Sequence, residues 1–476
     1  MKNKTRLTLF MFMAFALIFS INGCKKDSTD EPNPTPPNEE YGIIMGSLTN
    51  GVTLQPISNG LVLLTNMSGT VLQQISSGSN GLFTISSIGD GMYQVKVQQN
   101  GYKEMVADSV VISSVNPKGN FVGLCPVETS FAIPVSALSG LILDNNTLPI
   151  ANATVSISAE PESLTNGYFS SVLTNSSGQF LIPAIPLTTG NLKTLIPSFK
   201  IRILKEGYQP IYMTGIILSE NRMKVRNATL QPASGGGTVI FEEAFETATA
   251  WTYHGFWHRQ QNAVLPNTAY PQYVQLAPND KSNGNIPDAF GGQYDAWFGE
   301  ATTGNYMGTP ASGQSNLSGG TGTEAHQGGL TSPPIQITSS SGFATLTFWS
   351  WYEVESVNPN SSGYDIMEVF VVDAADSTSQ TSLGRLNPYS DPILENRDAI
   401  PYTSGGFNQA PVWKYEQFDL TSFVGQNIRL RFEFRTIDEM YNGFRGWFVD
   451  NIKITTDAPV KSGIPLPTYP KNANPR

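Results

Sequence analysis

The stretch Ile428-Arg429-Leu430-Arg431-Phe432-Glu433-Phe434-Arg435 alternates apolar and charged residues without a break. Successive side chains of a β-strand point to opposite faces, so a period of two sends Ile428, Leu430, Phe432 and Phe434 one way and Arg429, Arg431, Glu433 and Arg435 the other. This is a strand with one face in a core and one in water. A second strand, Leu346-Thr347-Phe348-Trp349-Ser350-Trp351-Tyr352, is bulky on both faces, which places it in mid-sheet with a further layer over each side. From Ile43 onward the chain consists of short apolar alternations broken by Gly, Asn, Ser and Pro, and no long segment carries a helical period. The expected fold class is all-β.

Toward the N-terminus one order of blocks occurs twice. The first copy has Gly46, Pro56-Ile57-Ser58-Asn59-Gly60, Asn80-Gly81-Leu82-Phe83, Tyr93-Gln94-Val95-Lys96-Val97 and Asn100-Gly101-Tyr102. The second answers with Gly140, Pro149-Ile150-Ala151-Asn152-Ala153, Ser177-Gly178-Gln179-Phe180, Phe199-Lys200-Ile201-Arg202-Ile203 and Glu206-Gly207-Tyr208. In each copy a glycine, Gly81 or Gly178, supplies the positive φ of a tight turn, and a Phe enters a core two residues later. This order resembles the carboxypeptidase regulatory-like domain. The resemblance implies two small immunoglobulin-like β-sandwiches in series, 41–127 and 128–233, serving as spacers or supports and bringing no catalytic residues.

A Gly-rich joint at 234–238 follows, read as flexible, and composition changes beyond it: all seven Trp and all three His lie on the far side. The landmarks there are Phe241-Glu242-Glu243-Ala244-Phe245-Glu246, Gly329-Leu330-Thr331-Ser332-Pro333, Trp413, Phe418-Asp419-Leu420 and Gly446-Trp447-Phe448-Val449-Asp450-Asn451-Ile452. Taken in that order they resemble the jelly-roll module of MAM domains, cleaved adhesins, choice-of-anchor J proteins and the C-terminal part of immune inhibitor A metallopeptidases. The resemblance implies a larger jelly-roll β-sandwich at 239–456, followed by a tail at 457–476. It also implies calcium bound through acids gathered near the first and last strands, and the matching positions are Glu246, Glu355, Asp365, Asp438 and Asp450. Aromatic rings on such a module stack on sugars, which makes Trp257, Tyr273, Trp297 and Trp351 the candidate ligand contacts.

The chain opens with Lys2, Lys4 and Arg6, an apolar run from Leu7 to Ile21, and Asn22-Gly23-Cys24. That pattern resembles a bacterial lipoprotein signal at 1–23. The resemblance implies acylation of Cys24, an outer-membrane lipid anchor and display at the cell surface. The Pro-rich, charged segment at 24–40 suits a disordered tether of the kind Bacteroidetes lipoproteins carry. Without the three leader cations, 25 basic residues face 38 acidic ones, a net charge of −13 that argues against nucleic acid as a partner. With Cys24 lipidated, Cys125 has no disulfide partner in the chain and reads as a small buried apolar residue.

Motifs for catalysis are absent: the chain has no His-Glu-x-x-His, no Gly-x-Ser-x-Gly and no phosphate loop. His254 and His258 are four apart, a weak zinc spacing, while Glu353 with Glu355 and Asp365 is the one carboxylate grouping a hydrolase would use. The expectation is therefore a non-catalytic envelope lipoprotein whose jelly roll binds an extracellular glycan or protein in an adhesion or capture role. Two alternatives stay open: an accessory subunit of an outer-membrane uptake or secretion assembly, and a hydrolase with an unrecognised site.

Overall fold

The computed structural model describes residues 42–113, 120–160, 169–188, 195–233, 237–247, 250–262, 280–311, 320–355, 365–387 and 400–456. Cys24, the tether at 24–40, Tyr273 and the tail at 457–476 lie outside the described residues. Those described are all-β, with no α-helix among them and hence no helix long and apolar enough to cross a membrane.

The first repeat copy holds β1 (Gly42–Leu48), β2 (Leu61–Asn66), β3 (Val71–Ser76), β4 (Leu82–Ile88), β5 (Gly91–Gln98), β6 (Met105–Ile112) and β7 (Asn120–Leu124). The second holds β8 (Val135–Asp144), β9 (Thr154–Glu160), β10 (Phe169–Leu173), β11 (Gln179–Pro186), β12 (Ser198–Leu204), β13 (Ile211–Ile216), β14 (Arg222–Val225) and β15 (Ala228–Leu230). Sheet order repeats with the sequence: β4-β1-β7 faces β3-β2-β5-β6, and β11-β8 with β14 and β15 faces β10-β9-β12-β13. Gly81 and Gly178 have φ of 74° and 72°, and Phe83 and Phe180 are buried as the repeat predicts. The repeat's other glycines make room for those rings. A Cβ on Gly46 would lie 2.0 Å from Phe83 Cζ, and one on Gly140 would lie 2.8 Å from Phe180 Cε1 and 1.8 Å from the Arg226 carbonyl oxygen. Cys125 is buried in the first core, and burial pushes its thiol up to about 12, so it is inert at neutral pH.

One feature is invisible in the repeat. β14 runs parallel to both β8 and β6, so it fuses the second copy's β11-β8 sheet to the first copy's larger one in a single eight-stranded sheet. The two sandwiches are thereby joined through backbone hydrogen bonds.

The remaining strands are β16 (Val239–Glu243), β17 (Thr252–Tyr253), β18 (Trp257–Gln261), β19 (Tyr294–Phe298), β20 (Gln327–Thr331), β21 (Ile335–Gln336) and β22 (Thr345–Val354). After them come β23 (Ile366–Asp373), β24 (Gln380–Arg385), β25 (Tyr402–Thr403), β26 (Gly406–Phe407), β27 (Lys414–Asp419), β28 (Asn427–Arg435) and β29 (Gly446–Thr455). One sheet runs β18-β19-β29-β22-β25-β26, with β16 also on β29 and β27 also on β22; the other runs β17-β20-β28-β23-β24, with β21 on β28. β28 behaves as its alternation demands. Ile428, Leu430, Phe432 and Phe434 are buried in the shared core, and Glu433 on the other face is held between Arg431 at 2.9 Å and Arg435 at 3.2 Å. β22 is central and covered twice: Leu346, Phe348 and Tyr352 enter the main core, while Trp351 joins Trp297 and Phe448 in a second cluster on the outer face.

The Gly-rich joint does not leave the jelly roll free of the second sandwich. On β27, Lys414 and Glu416 are both fully buried and paired at 2.9 Å, and Arg202 of β12 reaches the same carboxylate at 3.1 Å. Arg202 also donates to the Gln417 carbonyl, and Thr154 Oγ1 of β9 donates to the Tyr415 carbonyl.

Candidate cation site

β16 ends at Glu243, whose Oε1 accepts the Phe245 amide at 2.6 Å, and buried Phe245 pins the turn that follows. That turn delivers Glu246 to the segment before β19. Its Oε1 accepts the amides of Gln293 at 2.9 Å and Tyr294 at 3.0 Å. Gly292 has φ of 76°, and a Cβ there would sit 2.2 Å from Glu246 Oε1, so the carboxylate needs glycine at this position.

Across the sheet, β19 pairs with β29. The fully buried Asp450 on β29 accepts the Gly291 amide at 3.0 Å through Oδ2 and its neighbour's amide, Asn451, at 2.6 Å through Oδ1. Asp295 of β19 is 1% exposed, and neither of its carboxylate oxygens has a hydrogen-bond partner among the described residues. Burial, then the negative charges of Asp450, Asp288 and Glu246, push the Asp295 carboxyl well above the usual range; burial pushes Asp450 up to about 7. A buried carboxylate without donors costs several kcal/mol, so this arrangement demands a proton or a cation. Hard cations accept carboxylate, carbonyl and water oxygens together. The residues present fit such an ion in chemistry, with Asp295 and Asp450 as the principal ligands. They do not form a ready-made cage, since among the described residues no three His, Cys, Asp or Glu side chains converge closely enough to grip one ion. Backbone carbonyls and water would have to complete the shell.

The five acids expected to share calcium divide into two groups. Glu246 and Asp450 belong to the site above. Asp365 instead accepts Tyr306 Oη at 2.5 Å and the Glu355 amide at 3.3 Å, while Asp438 Oδ1 accepts the Met440 amide at 2.8 Å. Burial pushes Asp365 up to about 7. Glu355 and Asp365 thus meet in a hydrogen-bonded corner at Tyr306, with the charge of Asp438 felt at Asp365, and strand register separates them from the first group: Asp450 lies opposite Trp349, and Glu355 follows the far end of the same strand.

Glu353, weighed with Glu355 as a hydrolytic pair, has other partners. Its Oε1 accepts the amides of Lys281 and Ser282, and burial, then the charge of Asp280, pushes it up to about 8. The charge of Asp280 beside it favours the protonated form of Glu353. Fully buried Arg445 bonds Asp280 at 3.2 Å, the Ser282 hydroxyl and the Gly304 carbonyl. Two of the three histidines are likewise taken: His258 faces the Phe256 carbonyl and the Gln260 side chain, and His326 the Met307 carbonyl.

Three of the expected ligand-contacting rings are core. Trp257 is 3% exposed and edge-on to Trp447 at 5.3 Å; Trp297 is 0% exposed, stacks on Phe448 at 5.0 Å and donates to the Arg445 carbonyl; Trp351 is 6% exposed. Burial leaves them no ring face for an outside ligand. Sequence reasoning missed a different set. Phe290, 37% exposed, stacks on half-buried Trp349 at 3.7 Å and meets Trp413 edge-on at 6.1 Å, and Trp413 Nε1 donates to the Asp288 carbonyl. This aromatic shelf is carried by the same segment whose amides hold Glu246 and Asp450.

No family model matches this chain. The pre-pro-metalloprotease PrtV of Vibrio cholerae serotype O1 (strain M66-2) is 27% identical over 126 residues, which cover 26% of this chain and 12% of that protein. The match therefore spans about an eighth of that relative's length. Among solved structures, shaft pilin SpaA of Lactobacillus rhamnosus GG is 10% identical, covering 41% of this chain and 98% of that one at a TM-score of 0.16. The minor pilin GBS52 of Streptococcus agalactiae is 11% identical with the same coverages and TM-score. Scores at this level carry no argument about function. The resemblances to regulatory-like, jelly-roll and lipoprotein families rest on the quoted residues alone.

Proposed function

We propose that this chain is a non-catalytic, lipid-anchored binding protein of the cell envelope, whose jelly roll captures an extracellular glycan or protein on the Phe290–Trp349–Trp413 shelf. The observation that carries the reading is the coupling of that shelf to the buried acids: Phe290 lies between Asp288 and the Gly291–Tyr294 amides that bond Asp450 and Glu246. A calcium ion at Asp295 and Asp450 would fix the segment and so pre-order the aromatic surface, which favours binding by lowering the ordering cost. The acyl chain on Cys24 and the Pro-rich tether would hold the protein at the outer membrane, with the fused sandwiches as a stiff stalk.

The test is a glycan and matrix-protein array probed with the mature chain in calcium and in EDTA, alongside Phe290→Ala. The expected result is a calcium-dependent signal that Phe290→Ala abolishes while leaving the melting temperature within about 1 °C, as exposed substitutions do. Silence of the folded protein in both conditions would overturn the proposal.

A further inference from the structure

A second cleft lies away from the acids, where the second sandwich meets the 49–54 loop of the first and the β25–β26 hairpin of the jelly roll. It encloses about 680 Å³, within the roughly 300–1,000 Å³ of small-ligand sites. None of the 22 described residues that line it is charged, although 14% of the chain is. A phosphate, carboxylate or ammonium ligand would find no counter-charge there. The lining instead mixes amides and hydroxyls with apolar surface, including half-buried Phe407.

We propose that this cleft binds a neutral oligosaccharide. Sugar hydroxyls both donate and accept, as side-chain amides do, and the apolar face of a pyranose packs on aromatic and aliphatic carbon. Asn152 of the second sandwich and Gln409 of the jelly roll are exposed, and neither side-chain amide bonds any described residue. The walls belong to different parts of the fold, yet the Arg202–Glu416–Lys414 junction holds them in register, so the cleft is preformed.

Strand addition by a peptide is the competing use, since β10 and β11 are both sheet-edge strands and both line the cleft. The hairpin already occupies that approach: a Cβ on Gly406 would lie 3.5 Å from the Ser171 carbonyl oxygen. The room left suits a compact ring better than an extended chain.

The experiment is calorimetric titration of the mature chain with neutral gluco-, manno- and galacto-oligosaccharides and with their uronic and sulfated counterparts. Asn152→Gly/Gln409→Ala, whose glycine keeps the left-handed φ of 55°, serves as the cleft variant and Phe290→Ala as the control at the shelf. A neutral sugar should bind, indifferent to high salt and to EDTA, and the cleft variant should weaken it by about tenfold or more with an unchanged melting temperature. Phe290→Ala should leave it intact, which separates failure here from failure of the shelf. The proposal falls if no neutral sugar binds the folded chain, if charged sugars bind better, if the cleft variant binds as well as the parent, or if an uncharged peptide displaces the sugar.

Discussion

Glu416→Gln is the most discriminating perturbation of the junction between stalk and jelly roll. In the native protein Glu416 neutralises Lys414 at 2.9 Å and Arg202 at 3.1 Å, and Lys414 and Glu416 side chains are both 0% exposed. The glutamine keeps the shape and removes the charge. Arg202, 16% exposed, retains the Gln417 carbonyl and some water, but Lys414 stays buried and loses the carboxylate it is paired with. Breaking a buried pair in this way costs about 3–5 kcal/mol. At roughly 2–4 °C per kcal/mol, the melting transition should fall by about 6–20 °C. The deficit carries a pH signature. Burial lowers the Lys414 pKa and Glu416 opposes that, so without Glu416 it falls further. A lysine with a depressed folded pKa binds fewer protons folded than unfolded, so stability rises with pH across the window between that value and about 10.4. Chemical denaturation of parent and variant from neutral to alkaline pH should therefore show the gap narrowing as pH rises. A loss below about 1 kcal/mol, or a gap independent of pH, would refute the claim that this buried pair anchors the junction.

Two further outcomes follow from the acids. Calcium at a hundredfold excess over its dissociation constant should stabilise the parent by about 2.7 kcal/mol relative to EDTA, and Asp295→Asn should remove the difference between the two melts. An equal calcium response in Asp295→Asn would exclude Asp295 as a ligand. For Glu353, whose folded pKa of about 8 exceeds its ordinary 4.5, the folded state binds the extra proton between those values, so its contribution to stability declines as pH rises through that window. Glu353→Gln keeps a donor toward Asp280 and should flatten the decline in a pH series of thermal melts; an unchanged slope would show that another group carries it.

The all-β class and the repeat were legible because their signals are local. Alternation in Ile428–Arg435 reports burial directly, and Gly81 and Gly178 mark turns whose φ no other residue adopts as cheaply. Even the double cover of β22 could be read, since Trp349 and Trp351 on one face and Leu346 and Phe348 on the other leave neither side suited to water. Ring type does not say which face a tryptophan shows, however, so Trp257, Trp297 and Trp351 proved to be core while Phe290 and Trp413 lay outside. Charged residues gave still less warning. Asp295, Glu416 and Arg445 look like ordinary polar punctuation in strands and loops, and only the fold brings to them the charged groups, Asp450, Arg202 and Asp280, that lie more than a hundred residues away. Strand register likewise divides five acids into two groups and lets β14 join two sheets. Periodicity and turn chemistry were thus set by the sequence within a few residues. Which charges meet, and what they need in order to be neutral, was decided by long-range pairing, because an electrostatic partner is defined by distance in space and leaves no periodic trace along the chain.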